Sequence, residues 1–200
     1  MALTAFRLAN WDTPLWIGPN RRPSRFVADG QIAQYWALHP MTPWAEVLRF
    51  HDVRVPDEAR ELLLRPWVAE IELPDDTIEV DFDTAEDHGI SADALVDDDH
   101  RRCQAWARDL ETPAIIVPSA ALPGTRNLVL FGERIRSRYG ARPTDPSLYV
   151  PCDPVADLAL VVDDLLSHVR WRGDDHAGLD AWRQDLPPIE PPMVTVSRRF

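Results

Sequence analysis

Short apolar stretches separated by polar turns run through most of the chain, a pattern typical of strands and short helices. The pattern predicts strands at residues 3–8, 31–38, 67–73, 114–117, 127–131 and 147–150. It predicts helices that start at Thr42 and Asp153, helices over residues 57–64 and 101–110, and a short helix around Trp182. Thr42-Pro43 is expected to supply an N-cap and a proline at the first helical position.

The helix expected from Asp153-Pro154 has the clearest apolar stripe in the sequence. Its apolar residues recur at helical spacing: Val155, Leu158, Val162, Leu165 and Val169. The stripe is too short to indicate a coiled coil, so we expect it to pack against the core. Pro187-Pro188 and Pro191-Pro192 break any later helix, which predicts one domain over residues 1–173 and a C-terminal helix with a proline-rich tail over 174–200.

The length and composition fit one globular domain. The chain has 200 residues, of which 45% are hydrophobic, enough to build one core. Its apolar runs are far shorter than the roughly 20 residues needed to cross a bilayer, and its first residues do not resemble a signal peptide. We therefore expect a cytoplasmic protein without membrane contact, in which Cys103 and Cys152 are reduced core thiols.

The composition excludes several kinds of chemistry. All 21 basic residues are arginine, so a lysine Schiff base and the Walker A loop are excluded. The eight glycines form no GxG pair, which excludes the Rossmann fingerprint. A formal charge of −12 argues against direct nucleic-acid binding. The histidine and aspartate pairs lack the spacing of familiar metal sites, so no metal is expected.

Residues 75–100 form a strongly acidic segment with no arginine. A solvated surface is the favoured interpretation of this charge. A docking surface for a basic partner is the alternative.

Three candidate functional residues follow one another at intervals of ten and eleven positions. Arg25 lies in a predicted loop, Tyr35 in a strand, and Glu46 in the expected first turn of a helix. Together they would provide an anion-binding guanidinium group, an aromatic ring and a carboxylate. Each also has an ordinary explanation: Glu46, for example, would be favoured by the helix dipole and could pair with Arg49.

The residues around these three positions resemble the RES family, which is named for its Arg, Glu and Ser. The segments that carry the resemblance are Phe6-Arg7-Leu8, Ser24-Arg25-Phe26, Tyr35-Trp36-Ala37, Trp44-Ala45-Glu46-Val47, Cys103-Gln104-Ala105 and Val117-Pro118-Ser119. Two features depart from the family pattern. Ser24 replaces a glycine of the family pattern. In some members the functional serine lies just before the Cys-Gln-Ala-like segment, where this chain has Arg101 and Arg102. Which serine is functional here therefore stays open, and Ser119 is the candidate.

The resemblance implies an α+β fold with mixed or antiparallel sheets and flanking helices, similar to ADP-ribosyltransferases. It also implies a toxin of a toxin–antitoxin pair, held inactive by an Xre-like helix-turn-helix antitoxin. Such a toxin cleaves the nicotinamide–ribose bond of NAD+, which is its substrate and not a cofactor. Water or inorganic phosphate would accept the ADP-ribosyl group, and nicotinamide would be released.

The same resemblance suggests a role for each candidate. Arg7 and Arg25 would bind the pyrophosphate, and Tyr35 would orient the nicotinamide. Glu46 would stabilise positive charge on the ribose, and Ser119 would position a reacting group. Two alternatives stay open: ADP-ribosyl transfer to a macromolecule, and an inactive interaction module that uses the acidic surface.

Overall fold

The computed structural model describes residues 2–9, 23–62, 64–132, 152–154, 162–174 and 179–183. Its strands are β1 (Ala2–Ala9), β2 (Ala33–Ala37), β3 (Arg65–Glu72), β4 (Ile78–Glu79), β5 (Ala114–Pro118), β6 (Arg126–Phe131) and β7 (Cys152–Pro154). Its α-helices are α1 (Thr42–His51), α2 (Pro56–Arg60), α3 (Arg101–Asp109), α4 (Val162–His168) and α5 (Asp180–Arg183). Two short 3-10 helices, Glu86–His88 and Ala92–Leu95, lie in the acidic segment.

The described strands form one sheet in the order β4-β5-β6-β2-β1-β3-β7. Neighbouring strands are antiparallel, except that β4 and β5 are parallel. Helices flank this mixed sheet, so the predicted α+β class is confirmed.

The centre of the sheet is joined weakly. β1 pairs with β3 along eight residues, whereas β1 and β2 share only the pair Phe6–Ala37. The two strands therefore diverge on the side of Arg7 and Trp36, where residues of both strands line a cavity.

One face of the sheet is covered by different elements on its two halves. Over β1 and β3, Phe6 packs in a cluster with Trp44 and Leu48 of α1 and Leu165 of α4. Over β5 and β6, the cluster contains Ile115, Val117 and Val129 together with Cys103 and Trp106 of α3. Burial of these side chains removes apolar surface from water and fixes α1 and α3 against the sheet.

The prediction that a helix starts at Asp153 is wrong. Residues Cys152–Pro154 form β7, whose backbone pairs with residues 67–69 of β3. Backbone groups that pair in a sheet are not available for the hydrogen bonds of a helix. The described helix is α4, and the stripe residues Leu165 and Val169 are buried as expected. The strand expected at 147–150 lies outside the described residues.

The start of α1 also differs from the prediction. Its N-cap is Met41, so Thr42 lies inside the helix and makes no capping bond. Glu46 is consequently the fifth helical residue and lies beyond the first turn. The helix dipole acts mainly on the first turn and therefore does not explain a glutamate here. The second helix is shorter than predicted and ends at Arg60.

No helix in the described ranges is long and apolar enough to span a membrane. Within the same ranges, no group of three or more His, Cys, Asp and Glu residues has an arrangement suited to a metal ion. Cys103 is a free, buried thiol that donates to the carbonyl oxygen of Ala94. Burial raises the pKa of Cys103 to about 11, so the thiol is protonated and unreactive near neutral pH.

Candidate functional site

A cavity of about 330 Å³ lies where β1 and β2 diverge. It is lined by residues of both strands, of α1 and of the turn at 23–26, and by His100 and Arg172. The predicted site residues Arg7, Arg25 and Tyr35 all line it, as does Glu46. The volume is within the range of small-molecule pockets.

The Glu46 carboxylate is held through one of its two oxygens. Ser119 Oγ and Asn127 Nδ2 each donate to Glu46 Oε1, at 2.7 Å. Oε2 accepts no hydrogen bond from the described residues. The two donors fix the orientation of the carboxylate and leave its second oxygen available to a ligand in the cavity.

Ser119 is buried, and its hydroxyl is fully used within the protein. Oγ donates to Glu46 and accepts hydrogen bonds from the backbone N–H groups of Ala121 (3.2 Å) and Leu122 (3.1 Å). The neighbours Pro118 and Ala120 line the cavity. This geometry makes Ser119 a residue that orients Glu46, and it leaves the hydroxyl no spare hydrogen for a phosphate or a water.

The loop arginine is presented by a tight turn. Ser24 and Val27 exchange backbone hydrogen bonds of 2.9 and 3.3 Å, which places Arg25 at the corner of the turn. Arg25 Nη1 donates to the carbonyl oxygen of Asp97 at 2.5 Å. Gln104 of α3 donates to the Ser24 carbonyl oxygen at 2.8 Å and ties the turn to the helix.

The Tyr35 hydroxyl supports the same turn. It accepts hydrogen bonds from Ser24 Oγ (2.9 Å) and from the backbone N–H of Phe26 (3.0 Å). Burial raises the pKa of Tyr35 to about 12, so the phenol stays neutral. Tyr35 therefore positions the turn through its hydroxyl and contributes its ring to the cavity wall. Ser24 supplies one of these bonds, which glycine at this position would not provide.

Arg49 is buried beside the cavity and joins four parts of the chain. Its Nη1 donates to the carbonyl oxygens of Ala120 (3.0 Å) and Arg170, and its Nη2 pairs with Asp98 at 2.7 Å. Asp98 also accepts the backbone N–H of Gly173 at 2.8 Å. We call this set the Arg49 latch. No bond from Arg49 to Glu46 occurs, so the ion pair considered for Glu46 is not formed.

His100 is the N-cap residue of α3 and lines the cavity. Its Nε2 atom is shielded from water and has no hydrogen-bond partner among the described residues. Burial is the main cause that lowers the pKa of His100, and together with the positive charges of Arg25, Arg172 and Arg49 it brings the pKa to about 4. The imidazole is therefore neutral at physiological pH.

The charge around the cavity is opposite in sign to that of the whole chain. Four arginines line it, at positions 7, 25, 49 and 172, against the carboxylate of Glu46. The whole chain carries a formal charge of −12. Because guanidinium groups bind phosphate and carboxylate oxygens, this local excess of positive charge suits an anionic ligand.

The acidic segment is largely engaged with arginines of the same chain. Asp97 and Asp93 pair with Arg102, each at 2.7 Å. Asp99 pairs with Arg101 at 2.5 Å, and Asp98 belongs to the Arg49 latch. This segment thus supports Arg25 and Arg49 of the site through Asp97 and Asp98, and it holds Arg101 and Arg102 at the surface.

The described residues thus form an α+β domain whose cavity has an arginine-rich lining and one oriented carboxylate, a lining suited to an anionic small molecule. A family model described as the RES domain matches residues 4–153. The chain therefore belongs to the RES family.

A solved structure shares the fold. The MbcT–MbcA toxin–antitoxin complex of M. tuberculosis contains a chain that aligns with a TM-score of 0.54 and 21% identity. The alignment covers 72% of this chain and 79% of that one. No curated protein sequence matches this chain significantly.

The residues of the cavity wall that were not predicted as site residues include Asn127, His100, Arg49 and Arg172. Asn127 carried a weak signal, because a polar side chain stands at the start of an otherwise apolar strand. The others depend on contacts between segments distant in the chain. Arg49, for example, meets Asp98 and Arg170, 49 and 121 positions away.

Proposed function

We propose that this protein is the toxin of a toxin–antitoxin pair and cleaves the nicotinamide–ribose bond of NAD+. The observation that carries the proposal is the oriented carboxylate of Glu46 in a cavity that also contains Arg7, Arg25 and Tyr35. Membership of the RES family and the fold shared with a chain of the MbcT–MbcA complex support it.

The cavity suits the substrate's charge. NAD+ has a pyrophosphate, and each charge-assisted hydrogen bond to a guanidinium contributes about 1.5–3 kcal/mol. Arg25 donates one nitrogen to Asp97 and also contacts the Cys103 thiol, and both Arg25 and Arg7 line the cavity. These two arginines bind the pyrophosphate in the proposed complex, and the ring of Tyr35 contacts the nicotinamide.

Glu46 acts on the sugar in the proposed reaction. When the C–N bond breaks, its electron pair leaves with nicotinamide, and positive charge develops on the ribose. A carboxylate at this position stabilises that charge directly or through the ribose hydroxyls. Ser119 and Asn127 hold the carboxylate in one orientation before the substrate arrives, so little reorganisation is needed during the reaction.

The acceptor completes the reaction in one of two ways. Attack by water gives ADP-ribose and releases a proton, whereas attack by inorganic phosphate gives a phosphorylated ADP-ribose. The residues of the cavity favour neither acceptor. The first step, release of nicotinamide, is common to both.

An antitoxin is the proposed protein partner. The similar chain of M. tuberculosis was crystallised as part of a toxin–antitoxin complex. We propose an antitoxin of the Xre-like helix-turn-helix type, which would contact DNA in place of the toxin. This division suits a toxin with a formal charge of −12.

The direct test is incubation of the purified protein with NAD+, with and without phosphate, followed by separation of the products. Free nicotinamide with ADP-ribose indicates hydrolysis, and a phosphate-dependent product indicates phosphorolysis. A labelled NAD+ analogue that becomes attached to a macromolecule would show ADP-ribosyl transfer instead. Unchanged NAD+ under all conditions would refute the enzymatic proposal.

A further inference from the structure

Arg172 lines the cavity although it lies beyond residues 4–153, the part matched by the family model. It belongs to the segment that follows α4. Its presence in the cavity wall is therefore a property of this chain that the family match does not supply.

The backbone around Arg172 is held firmly. The Arg49 latch binds the chain on both sides of this residue. Arg54 donates to the carbonyl oxygen of Arg172 at 3.3 Å and to the carboxylate of Asp174 at 3.0 Å. These contacts set the position of Arg172 before any ligand binds, which lowers the entropy lost on binding.

The side chain of Arg172 has no hydrogen bond or ion pair with the described residues. It is exposed, and its Cζ atom lies 5.5 Å from the centre of the Phe50 ring. Phe50 is 49% exposed and also lines the cavity. The aromatic face stabilises the cation without using its N–H donors. All the donors of this guanidinium are therefore available to an anion.

His100 lies in the field of the same guanidinium group. The charges of Arg25, Arg172 and Arg49 lower the pKa of His100, whereas the charge of Asp98 raises it. Its Nε2 atom lacks a partner in the described residues, and a buried nitrogen without a partner is destabilising. A ligand oxygen that accepts a hydrogen bond from this nitrogen would remove this cost.

We propose that Arg172 and His100 form a second anion subsite of the cavity, which binds a phosphate group of the dinucleotide. This inference rests on the proposed function, and it assigns a binding role to two residues beyond Arg7 and Arg25. Arg172 supplies the charge, and His100 supplies the N–H group of a neutral ring as a hydrogen-bond donor to a phosphate oxygen.

The test measures binding of ADP-ribose to the purified full-length protein by calorimetry, together with kcat and KM for NAD+. Arg172→Gln is expected to weaken ADP-ribose binding about tenfold or more, because a charge-assisted contact is lost. His100→Ala is expected to weaken it several-fold, and His100→Gln to recover part of the loss. In both arginine and histidine variants, KM should rise more than kcat falls.

Arg108→Gln is the matched control. Arg108 is an exposed arginine of α3 outside the cavity, and its replacement changes the net charge by the same amount. It should bind ADP-ribose as the wild type does. Equal binding by Arg172→Gln, His100→Ala and Arg108→Gln, within about twofold, would overturn the subsite.

A second probe, inorganic pyrophosphate, separates the subsite from the proposed function. Cleavage of NAD+ with a KM unaffected by Arg172→Gln would overturn the subsite and leave the proposed function standing. Pyrophosphate binding that depends on Arg172, without any cleavage of NAD+, would support the subsite and refute the proposed function. A wild-type protein that binds neither probe and leaves NAD+ unchanged would overturn both.

Discussion

The Glu46 carboxylate differs from the aspartates of the ion pairs in what it contacts. The pairs described above join aspartates to arginines, whereas Glu46 accepts its two hydrogen bonds from a serine and an amide. Neutral donors orient a carboxylate without neutralising it. The full negative charge therefore remains available in the cavity.

The first prediction concerns Glu46→Gln. We expect NAD+ cleavage to fall by about 100-fold or more, since the amide cannot stabilise positive charge on the ribose. Initial rates of nicotinamide release measure the effect. Glu72→Gln changes the same charge at an exposed position of β3 and should leave the rate unchanged. Similar rates for the wild type and Glu46→Gln would remove Glu46 from the mechanism.

Ser119→Ala should affect both activity and stability. The change removes one of the two groups that orient Glu46 and deprives two buried N–H groups of their acceptor. We expect a stability loss of about 1–3 kcal/mol in urea unfolding and a lower kcat. Ser167→Ala, at an exposed hydroxyl of α4, should change neither quantity appreciably. An undiminished kcat would show that Ser119 does not position Glu46.

His100 should make folding sensitive to acid. Its pKa is about 4 in the folded protein and near 6.5 in the unfolded chain. Between these values the unfolded chain binds a proton that the folded protein does not, so stability falls as pH falls from 6.5 toward 4. Below pH 4 this contribution no longer changes.

Melting temperatures at pH 7.5 and 5.0 test this sensitivity. The decrease on acidification should be smaller in His100→Ala than in the wild type, because the variant lacks this proton linkage. His51→Ala removes an exposed histidine and serves as the control. An equal decrease in wild type and His100→Ala would show that His100 is not the acid-sensitive group.

The sequence predicted the candidate residues that lie on one local stretch, Arg25, Tyr35 and Glu46, and the structure places all three at one cavity. Their catalytic roles remain predictions. The sequence did not indicate that Arg49 belongs to the site, because its partners come near only in the folded chain. Local spacing is visible in a sequence, whereas a guanidinium shared by distant segments is not.

At the level of elements, the periodic patterns predicted most strands and helices of the first 131 residues. They missed β4, which has two residues, because so short a strand has no measurable alternation. They also missed β7, because Asp153-Pro154 resembles a helix start and only pairing with β3 makes it a strand. Long-range pairing thus overrode the local signal.

The Arg49 latch joins α1 to the segment after α4, and we expect it to contribute strongly to the free energy of unfolding. Arg49→Met leaves two carbonyl oxygens and Asp98 without their partner, and we expect a loss of about 2–4 kcal/mol in urea unfolding. Arg101→Met breaks an ion pair at the surface and should have little effect. Equal unfolding midpoints for the two variants would show that the latch does not stabilise the fold.

The whole molecule combines an acidic exterior with a basic cavity, and the proposed toxin activity should be visible in cells. Induction of the wild-type protein in a bacterial host should arrest growth and lower cellular NAD+, whereas Glu46→Gln should do neither. Immunoblots should confirm equal soluble amounts of the two proteins. Growth arrest by both would indicate an effect of overproduction unrelated to cleavage.

The two outermost strands of the described sheet, β4 and β7, have only two and three residues. Such short margins offer a neighbouring polypeptide few free backbone groups, and β-strand augmentation needs a longer row of them. Addition of a strand to β4 or β7 is therefore disfavoured. An inhibitor peptide for this protein is better designed as an acidic plug for the cavity than as an added strand.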